Sequence, residues 1–399
     1  MHVIVVGAGL VGLAVAWRAR QCGAQVTVVD PAPASGATHA AAGMLAPVAE
    51  TYYQEEALGR LCLASNARYP GFVDEVSGAL GRTRADVGYL ATRTLVVGAD
   101  AADRGTLTDL HELSVSLGLP SRVVGTRDAR RLEPLLGPGL SCAFLADGDH
   151  QVDPRRLAAA LLEALPGAGV HLVAAPVAAV VSSGGTARGV RLLDGRQLDA
   201  DAVVLANAVG AHDVAGLDTL GVDLSRALRP VYGDVLRVDA PDSLRGLVTG
   251  TVRGLVGGRP VYLVPRADGS LVLGATSRED GNPRVSVGGV HDLLRDTIRL
   301  VPALAEFALL ESVARARPGT PDNAPLLGSP APGLLTATGT FRNGILLAPA
   351  VADTVAYLLG LVPEAPVEDL APFDPLRFAA AREPAARPRR GPTLVKESF

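Results

Sequence analysis

Within its first thirty residues the chain writes a strand, a glycine-rich turn, a helix, a second strand and an acid, and that order belongs to a dinucleotide-binding βαβ unit. His2 to Val6 is a short apolar run that fits a buried strand. Gly7-Ala8-Gly9-Leu10-Val11-Gly12 follows at once, then a helical stretch from Leu13 to Gln21. Gln25 to Val29 is a β-branched strand ending on Asp30. Gly7 permits the tight turn, Gly9 lets backbone approach a pyrophosphate, and Gly12 lets the helix pack close to the sheet. The helix N-terminus offers N–H groups and the positive end of its dipole to the phosphates. Asp30, 18 residues past Gly12, suits a ribose 2′-hydroxyl and would repel a 2′-phosphate. The fingerprint alone leaves NAD and FAD both open.

Composition sets the outer bounds. At 399 residues the chain can bury a large core and is long enough for two domains or one elaborated α/β unit. With 48% hydrophobic and 20% charged residues, its composition is that of an ordinary globular protein. A net charge of −4, with both signs scattered, gives no basic stripe for nucleic acid or an anionic membrane. Aromatic residues, at 4%, are too few for base-stacking platforms. Cys22, Cys62 and Cys142 are far apart with no Cys-x-x-Cys, which predicts reduced, buried thiols and no metal site. The chain opens on a core strand, leaving no room for a signal peptide, and no apolar run approaches the roughly 20 residues of a membrane helix. The expectation is a soluble cytoplasmic protein with small-molecule partners.

Pro31 to Pro47 is rich in small residues, which backbone needs where it lies against a flat ligand. Ser35 and Thr38 are placed to cap a short helix made of the alanines that follow. Glu55 to Val76 and Asp103 to Leu117 read as helices, and Gly88 to Val97 and Ser141 to Leu145 as strands. Asp153 and Pro154 open a helix running to about Leu165. Two strand-like runs broken at Pro176, a hairpin around Asp194-Gly195, and the apolar Ala202 to Ala206 follow. From Arg229 the pattern turns to strands with short connections, including Asp234 to Val238, Pro260 to Pro265 and Leu271 to Ala275, which reads as an antiparallel sheet. Val290 to Leu300 is a helix and Glu311 to Arg317 a strand; Leu334 to Thr338, Gly339, then Gly344 to Leu359 repeat the strand–glycine–helix logic of the N-terminus. The fold class is α/β with an α+β part: a discontinuous Rossmann-like domain (1–90, 148–225 and 312–378) carrying an inserted antiparallel-sheet domain (91–147 and 226–311). Residues 379–399, rich in Pro, Ala and Arg, read as a flexible tail.

Several separated segments, met in order, resemble the D-amino-acid-oxidase-like flavoproteins, and among them the glycine oxidases of the thiamine pathway. They are Val5-Val6-Gly7-Ala8-Gly9-Leu10-Val11-Gly12, Ala40-Ala-Ala-Gly-Met-Leu45, Asp147-Gly-Asp-His-Gln-Val-Asp-Pro154, Val261-Tyr-Leu-Val-Pro-Arg266, Gly274-Ala-Thr276, Arg317-Pro-Gly-Thr-Pro-Asp322 and Phe341-Arg-Asn-Gly-Ile-Leu-Leu-Ala-Pro349. The resemblance covers about residues 3 to 378. It implies a glutathione-reductase-type FAD domain with noncovalent FAD, and an amino acid held over the flavin. Hydride passes from Cα to the flavin, the imine is hydrolysed or passed on, and O₂ is reduced to H₂O₂. A homotetramer is also implied. Such chemistry needs orientation and electrostatics from the protein rather than a nucleophile or metal, in keeping with the lack of zinc spacing or a Gly-x-Ser-x-Gly elbow.

The same resemblance implies the site. Gly7, Gly9, Leu10, Val11, Gly12 and Asp30 would bind the cofactor, with Ala41, Ala42, Gly43 and Met44 of the covering loop, Val177, and the late group Gly339, Arg342, Asn343, Gly344, Ile345 and Leu346. Arg317 stands at the family's carboxylate-binding arginine, where a planar guanidinium can make two parallel hydrogen bonds. Tyr262 matches a tyrosine whose hydroxyl assists that carboxylate, and Arg342 a second arginine near flavin and substrate. Gly339 and Gly344 frame a helix N-terminus facing the flavin pyrimidine edge. His39 and His150 read as structural, His150 as a capping residue. No side chain stands out as a general base; the amine need only be neutral, which a desolvated pocket arranges.

Four stretches depart from the glycine-oxidase pattern. Tyr232-Gly233-Asp234 replaces the common Lys-Gly-Gln, Arg315-Ala316 replaces Gly-Leu, Thr340 a histidine and Asn207 a glycine. Residues two apart on a strand share a face, so Arg315 and Arg317 point the same way, and Arg315 and Tyr232 become pocket candidates. Either the substrate is larger than glycine, an N-substituted glycine with a second carboxylate handled by a specialised biosynthetic enzyme, or these are changes at structural positions of an ordinary thiamine-pathway enzyme. A flavin dehydrogenase with an acceptor other than O₂ is the further alternative.

Overall fold

The computed structural model describes residues 1–379, so the expected tail, apart from Ala379, lies outside the described residues. A six-stranded sheet runs in the order Leu326–Ala331, Leu334–Thr338, Ala202–Leu205, His2–Val6, Gln25–Val29 and His171–Val173. Every pairing in it is parallel except that of the first two strands. His2–Val6 is central, and side chains alternate across a strand. Val3 and Val5 enter one core with the helices Leu10–Gln21, Glu56–Ala79, Pro154–Gly167 and Gly344–Leu358. Ile4 and Val6 enter another, under an antiparallel sheet of Val177–Ser183, Thr186–Leu192 and Gln197–Asp199. Burial on both faces is why this strand reads as one unbroken apolar run. The first and last helices pack on each other and both bury small residues, among them Ala14, Ala348 and Ala352, and both N-termini lie at the same cavity.

An eight-stranded sheet runs in the order Ala308–Gly319, Arg229–Asp239, Ser270–Gly274, Arg259–Pro265, Thr251–Val256, Thr94–Gly98, Cys142–Ala146 and Ser121–Val123. It is antiparallel but for Thr251–Val256 against Thr94–Gly98, so the sheet is mixed rather than purely antiparallel. That pairing joins strands from either side of the intervening Rossmann segment, a long-range event invisible to local pattern. The strand Thr251–Val256 escapes the sequence reading because Arg253 and Gly254 break its apolar run; Arg253 is instead an internal ion-pair partner. The expected strand Gly88 to Val97 divides into Tyr89–Leu90, which joins Met44–Leu45 and His150–Val152 in a small sheet, and Thr94–Gly98. Helix Val287–Leu300, capped by the Ser286 hydroxyl accepting from Gly289 N–H at 2.9 Å, covers the large sheet with Leu293 and Leu300. Ala308–Gly319 is longer at both ends than expected, and the division drawn at residue 312 falls inside it. Cys62 is buried as expected, whereas Cys22 and Cys142 are half-buried; all three are free thiols. No helix among the described residues is long and apolar enough to cross a membrane.

Candidate active site

A cavity of 490 Å³ opens where the two large sheets meet. Val6, Val29 and Ala206, at the carboxyl ends of parallel strands, wall one side, the place where ligands sit in open α/β sheets. Gly7 turns with φ +103°, and a Cβ there would lie 2.7 Å from the Ala206 carbonyl carbon. A Cβ on Gly12 would overlap the Gly7 carbonyl oxygen, so this glycine sets helix-to-turn packing and does not itself line the cavity. Asp30 is pinned by Ala8 N–H to Oδ2 and Ala32 N–H to Oδ1, both 2.7 Å, leaving lone pairs of each oxygen for a ribose.

The expected capping of Ala37–Ala40 by Ser35 or Thr38 does not occur. That helix starts after Gly36 without a side-chain cap, and the Thr38 hydroxyl accepts from Leu10 N–H at 3.0 Å, because the covering loop folds back over the first helix. The loop is held from below by Arg266, 7% exposed, which donates to the Ala42 carbonyl at 2.7 Å. Gly43 has φ +76°, and a Cβ there would overlap the Val152 carbonyl oxygen.

These residues fit a flavin dinucleotide by three observations. Glycines cradle the place for a pyrophosphate, and the helices Leu10–Gln21 and Gly344–Leu358 both begin at the cavity, the first with its Leu10 N–H taken by the Thr38 hydroxyl and the second without a side-chain cap from Asn343. Asn207 Oδ1, in the cavity wall, is buried without a hydrogen-bond partner among the described residues.

At the other end lie Arg317, Tyr262 and Arg342. The Arg317 side chain crosses Gly233 so closely that a Cβ there would overlap the guanidinium. Its Nη1 donates to the Thr276 carbonyl at 3.1 Å, and no carboxylate pairs with it among the described residues. Thr276 is itself fixed: its hydroxyl accepts from Asp234 N–H at 2.7 Å and donates to Asp234 Oδ2 at 2.9 Å. Asp234, fully buried, also takes Arg278 Nη2 at 3.1 Å. In Tyr232-Gly233-Asp234, Gly233 makes room for Arg317 and Asp234 anchors what Arg317 touches, while Tyr232 exchanges backbone hydrogen bonds with Arg278 and stays out of the cavity wall. Burial pushes the Tyr262 phenol up and the Arg317 charge draws it down, with the net shift upward, so the hydroxyl remains a donor. The Arg342 guanidinium lies 4.4 Å from the Tyr52 ring centre and 5.2 Å from that of Phe341, a cation held by two aromatic faces.

The remaining candidates divide. Gly9, Leu10, Val11, Ala41, Ala42, Met44, Val177, Gly344 and Ile345 line the cavity. Gly339, with φ +70°, turns against Thr320 and Leu326 instead, and Asn343 and Leu346 face a neighbouring cavity of 170 Å³. Arg315 shares the cavity with Arg317, but its Nε donates to the Ser35 carbonyl at 2.9 Å, on the cofactor loop.

Sequence reasoning missed Glu50, an acid in the cavity wall; the signal was an acid five residues past the covering-loop Leu45. Nearby, Asp149 is fully buried and accepts from Val48 and Ala49 N–H at 3.1 and 2.8 Å, which gives the Asp147-to-Pro154 motif a structural task. Burial pushes the Asp149 carboxyl up to about 7. Between the ordinary aspartate range and about 7 the folded chain holds a proton there that the unfolded chain releases, so stability falls as pH rises through that window. Asp149→Asn is expected to remove this slope, about 1 kcal/mol per pH unit at its steepest, in urea unfolding at a series of pH values; an unchanged slope would refute the assignment.

The sequence profile described as "DAO: FAD dependent oxidoreductase" matches residues 2–358. The chain is 33% identical to the bifunctional protein ThiO/ThiG of Synechocystis sp., over all of this chain and 57% of that protein. It spans about half the length of the bifunctional curated relatives it matches. Glycine oxidase of Geobacillus kaustophilus is 31% identical over 93% of this chain and 95% of its own length. The solved structure of that oxidase superposes with a TM-score of 0.84, covering 94% of this chain and 98% of the other. Iminodiacetate oxidase from Chelativorans sp. BNC1 is similar with a TM-score of 0.80 and 26% identity, over 94% and 98% of the two chains.

Proposed function

The chain belongs to the FAD dependent oxidoreductase family, and on that premise we propose that it is an amine oxidase acting on glycine or an N-substituted glycine. The observation that carries this reading is an arginine without a carboxylate partner among the described residues, Arg317, beside a protonated phenol, Tyr262, in the cavity that also holds the dinucleotide cradle. A guanidinium and a hydroxyl converging on one space bind a carboxylate in a defined orientation. FAD, when bound, would supply the two-electron acceptor for oxidation of the substrate's C–N bond, with O₂ as the final acceptor and H₂O₂ as its product.

The chain's own residues do the rest. Arg317 and Tyr262 fix the carboxylate and thereby place Cα, and the apolar wall of Val235, Met44 and Ile345 keeps water away. The N-terminus of Gly344–Leu358 supplies a positive dipole end where negative charge develops. The proposed division of the chain puts the cofactor on residues 1–90, 148–225 and the part of 312–378 that follows the strand Ala308–Gly319, since Arg315 and Arg317 on that strand stand in the eight-stranded sheet that holds the substrate. The test is anaerobic: glycine, sarcosine and D-alanine are added separately to the yellow protein without O₂. Bleaching of the flavin band by glycine or sarcosine is expected, and no bleaching by any amine would overturn the reading.

A substrate with a second carboxylate is the alternative that Arg315 raises, and the likeness to an iminodiacetate oxidase keeps it in view. Since Arg315 reaches the Ser35 carbonyl, the competing role is to tie the cofactor loop to the substrate sheet. Arg315→Gly separates them. The tie predicts weaker FAD retention, about threefold to tenfold in Kd, with equal effects on all amines. Second-carboxylate binding predicts a selective loss for iminodiacetate with FAD affinity unchanged.

A further inference from the structure

We propose that Glu50 recognises the substrate's amino nitrogen, so that an amino acid is held at both ends, its carboxylate by Arg317 and Tyr262 and its ammonium by Glu50. The proposal deepens the amine-oxidase reading and rests on it. Glu50 stands between the same cavity and the neighbouring one of 170 Å³, with its side chain 12% exposed. Oε1 accepts from Arg253 Nη1, whose Nη2 donates to the Tyr52 hydroxyl at 2.8 Å, and the Tyr52 ring carries Arg342. The carboxylate is therefore locked in place by a buried partner.

Oε2, by contrast, accepts no hydrogen bond from the described residues. A carboxylate has about four acceptor positions, and Oε2, which is not among the enclosed unpaired atoms, opens on accessible space and offers its free positions to an arriving donor. The charges around the cavity identify the donor's sign. Arg315, Arg317 and Arg342 are cations that suit phosphate and carboxylate; the acids in the wall are Asp30 and Glu50. Asp30 is committed to loop N–H groups at the ribose end. Glu50 is the acid facing the substrate end, and its field reaches Tyr262 together with that of Arg317. An opposed guanidinium and carboxylate in one cavity match the zwitterion of an amino acid, whether its nitrogen is primary or secondary.

The test is calorimetric binding of 2-aminoisobutyrate and 2-hydroxyisobutyrate to the holoenzyme. Neither carries a hydrogen on Cα, so neither can be oxidised, and they differ only in the amino group. Glu50→Gln keeps an acceptor for Arg253 while removing the charge. It is expected to weaken the amino ligand about tenfold or more and the hydroxy ligand less than threefold, and Glu50→Asp is expected to recover part of the loss. Equal losses for both ligands would mark Glu50 as structural, and unchanged binding of both would remove it from the site; either overturns the proposal. If wild-type protein oxidises no amine yet shows the Glu50-dependent preference, the oxidase reading fails and the recognition role stands. If it oxidises glycine with no such preference, the reverse holds.

Discussion

Arg317→Met is expected to lower kcat/KM for glycine about 10³-fold, with most of the change in KM, while FAD stays bound. The side chain keeps its length and apolar stem but loses the charge that pairs with the substrate carboxylate. Removing one partner of a desolvated, hydrogen-bonded charge pair costs about 2–5 kcal/mol, and about 4 kcal/mol corresponds to that factor. Gly233 and the Thr276 carbonyl hold the guanidinium in place before substrate arrives, so the loss falls on binding rather than on reorganisation. Arg317→Lys should recover little, since an ammonium cannot reproduce two parallel donors. Steady-state kinetics with glycine and sarcosine, alongside the visible spectrum, provide the check. Retention of wild-type KM by the methionine variant would show that the carboxylate is held elsewhere.

Gly12→Ala is expected to give a colourless protein. The added Cβ overlaps the Gly7 carbonyl oxygen, and both atoms belong to rigid backbone, so the helix Leu10–Gln21 must move away from the turn. Such overpacking costs about 1–3 kcal/mol of stability. The greater effect is on the cofactor, because the displaced N–H groups no longer converge on the phosphates; a rise in the FAD Kd of about 100-fold is expected. Gly71→Ala, in the helix Glu56–Ala79 with open space around its Cβ, is the control and should retain FAD with equal or higher melting temperature. Fluorescence titration of apoprotein with FAD, together with thermal unfolding, separates the two effects; a yellow Gly12→Ala protein of normal affinity would sink the argument.

The features legible along the chain are those set by local backbone demands. The Gly7-to-Gly12 turn, its flanking strands and Asp30 could be read because each residue answers a constraint within a few positions: a left-handed φ, a close helix approach, a strand buried on both faces. Asp153 with Pro154 was legible for the same reason, and the Asp153 carboxylate does cap its helix. Arg317, Tyr262 and Arg342 were found through resemblance rather than spacing, for nothing local tells a cavity arginine from a surface one. Where side chains go across long separations depends on the packed fold. It put Thr38 on the first helix, sent Arg315 toward Ser35, and made Asp234 the anchor behind Thr276. It also paired Glu50 with Arg253, more than 200 residues away, because burying one charge requires the other. Periodicity reports which face of an element is buried; which charge waits on the opposite wall depends on how two sheets meet, and that is settled by packing over the whole chain.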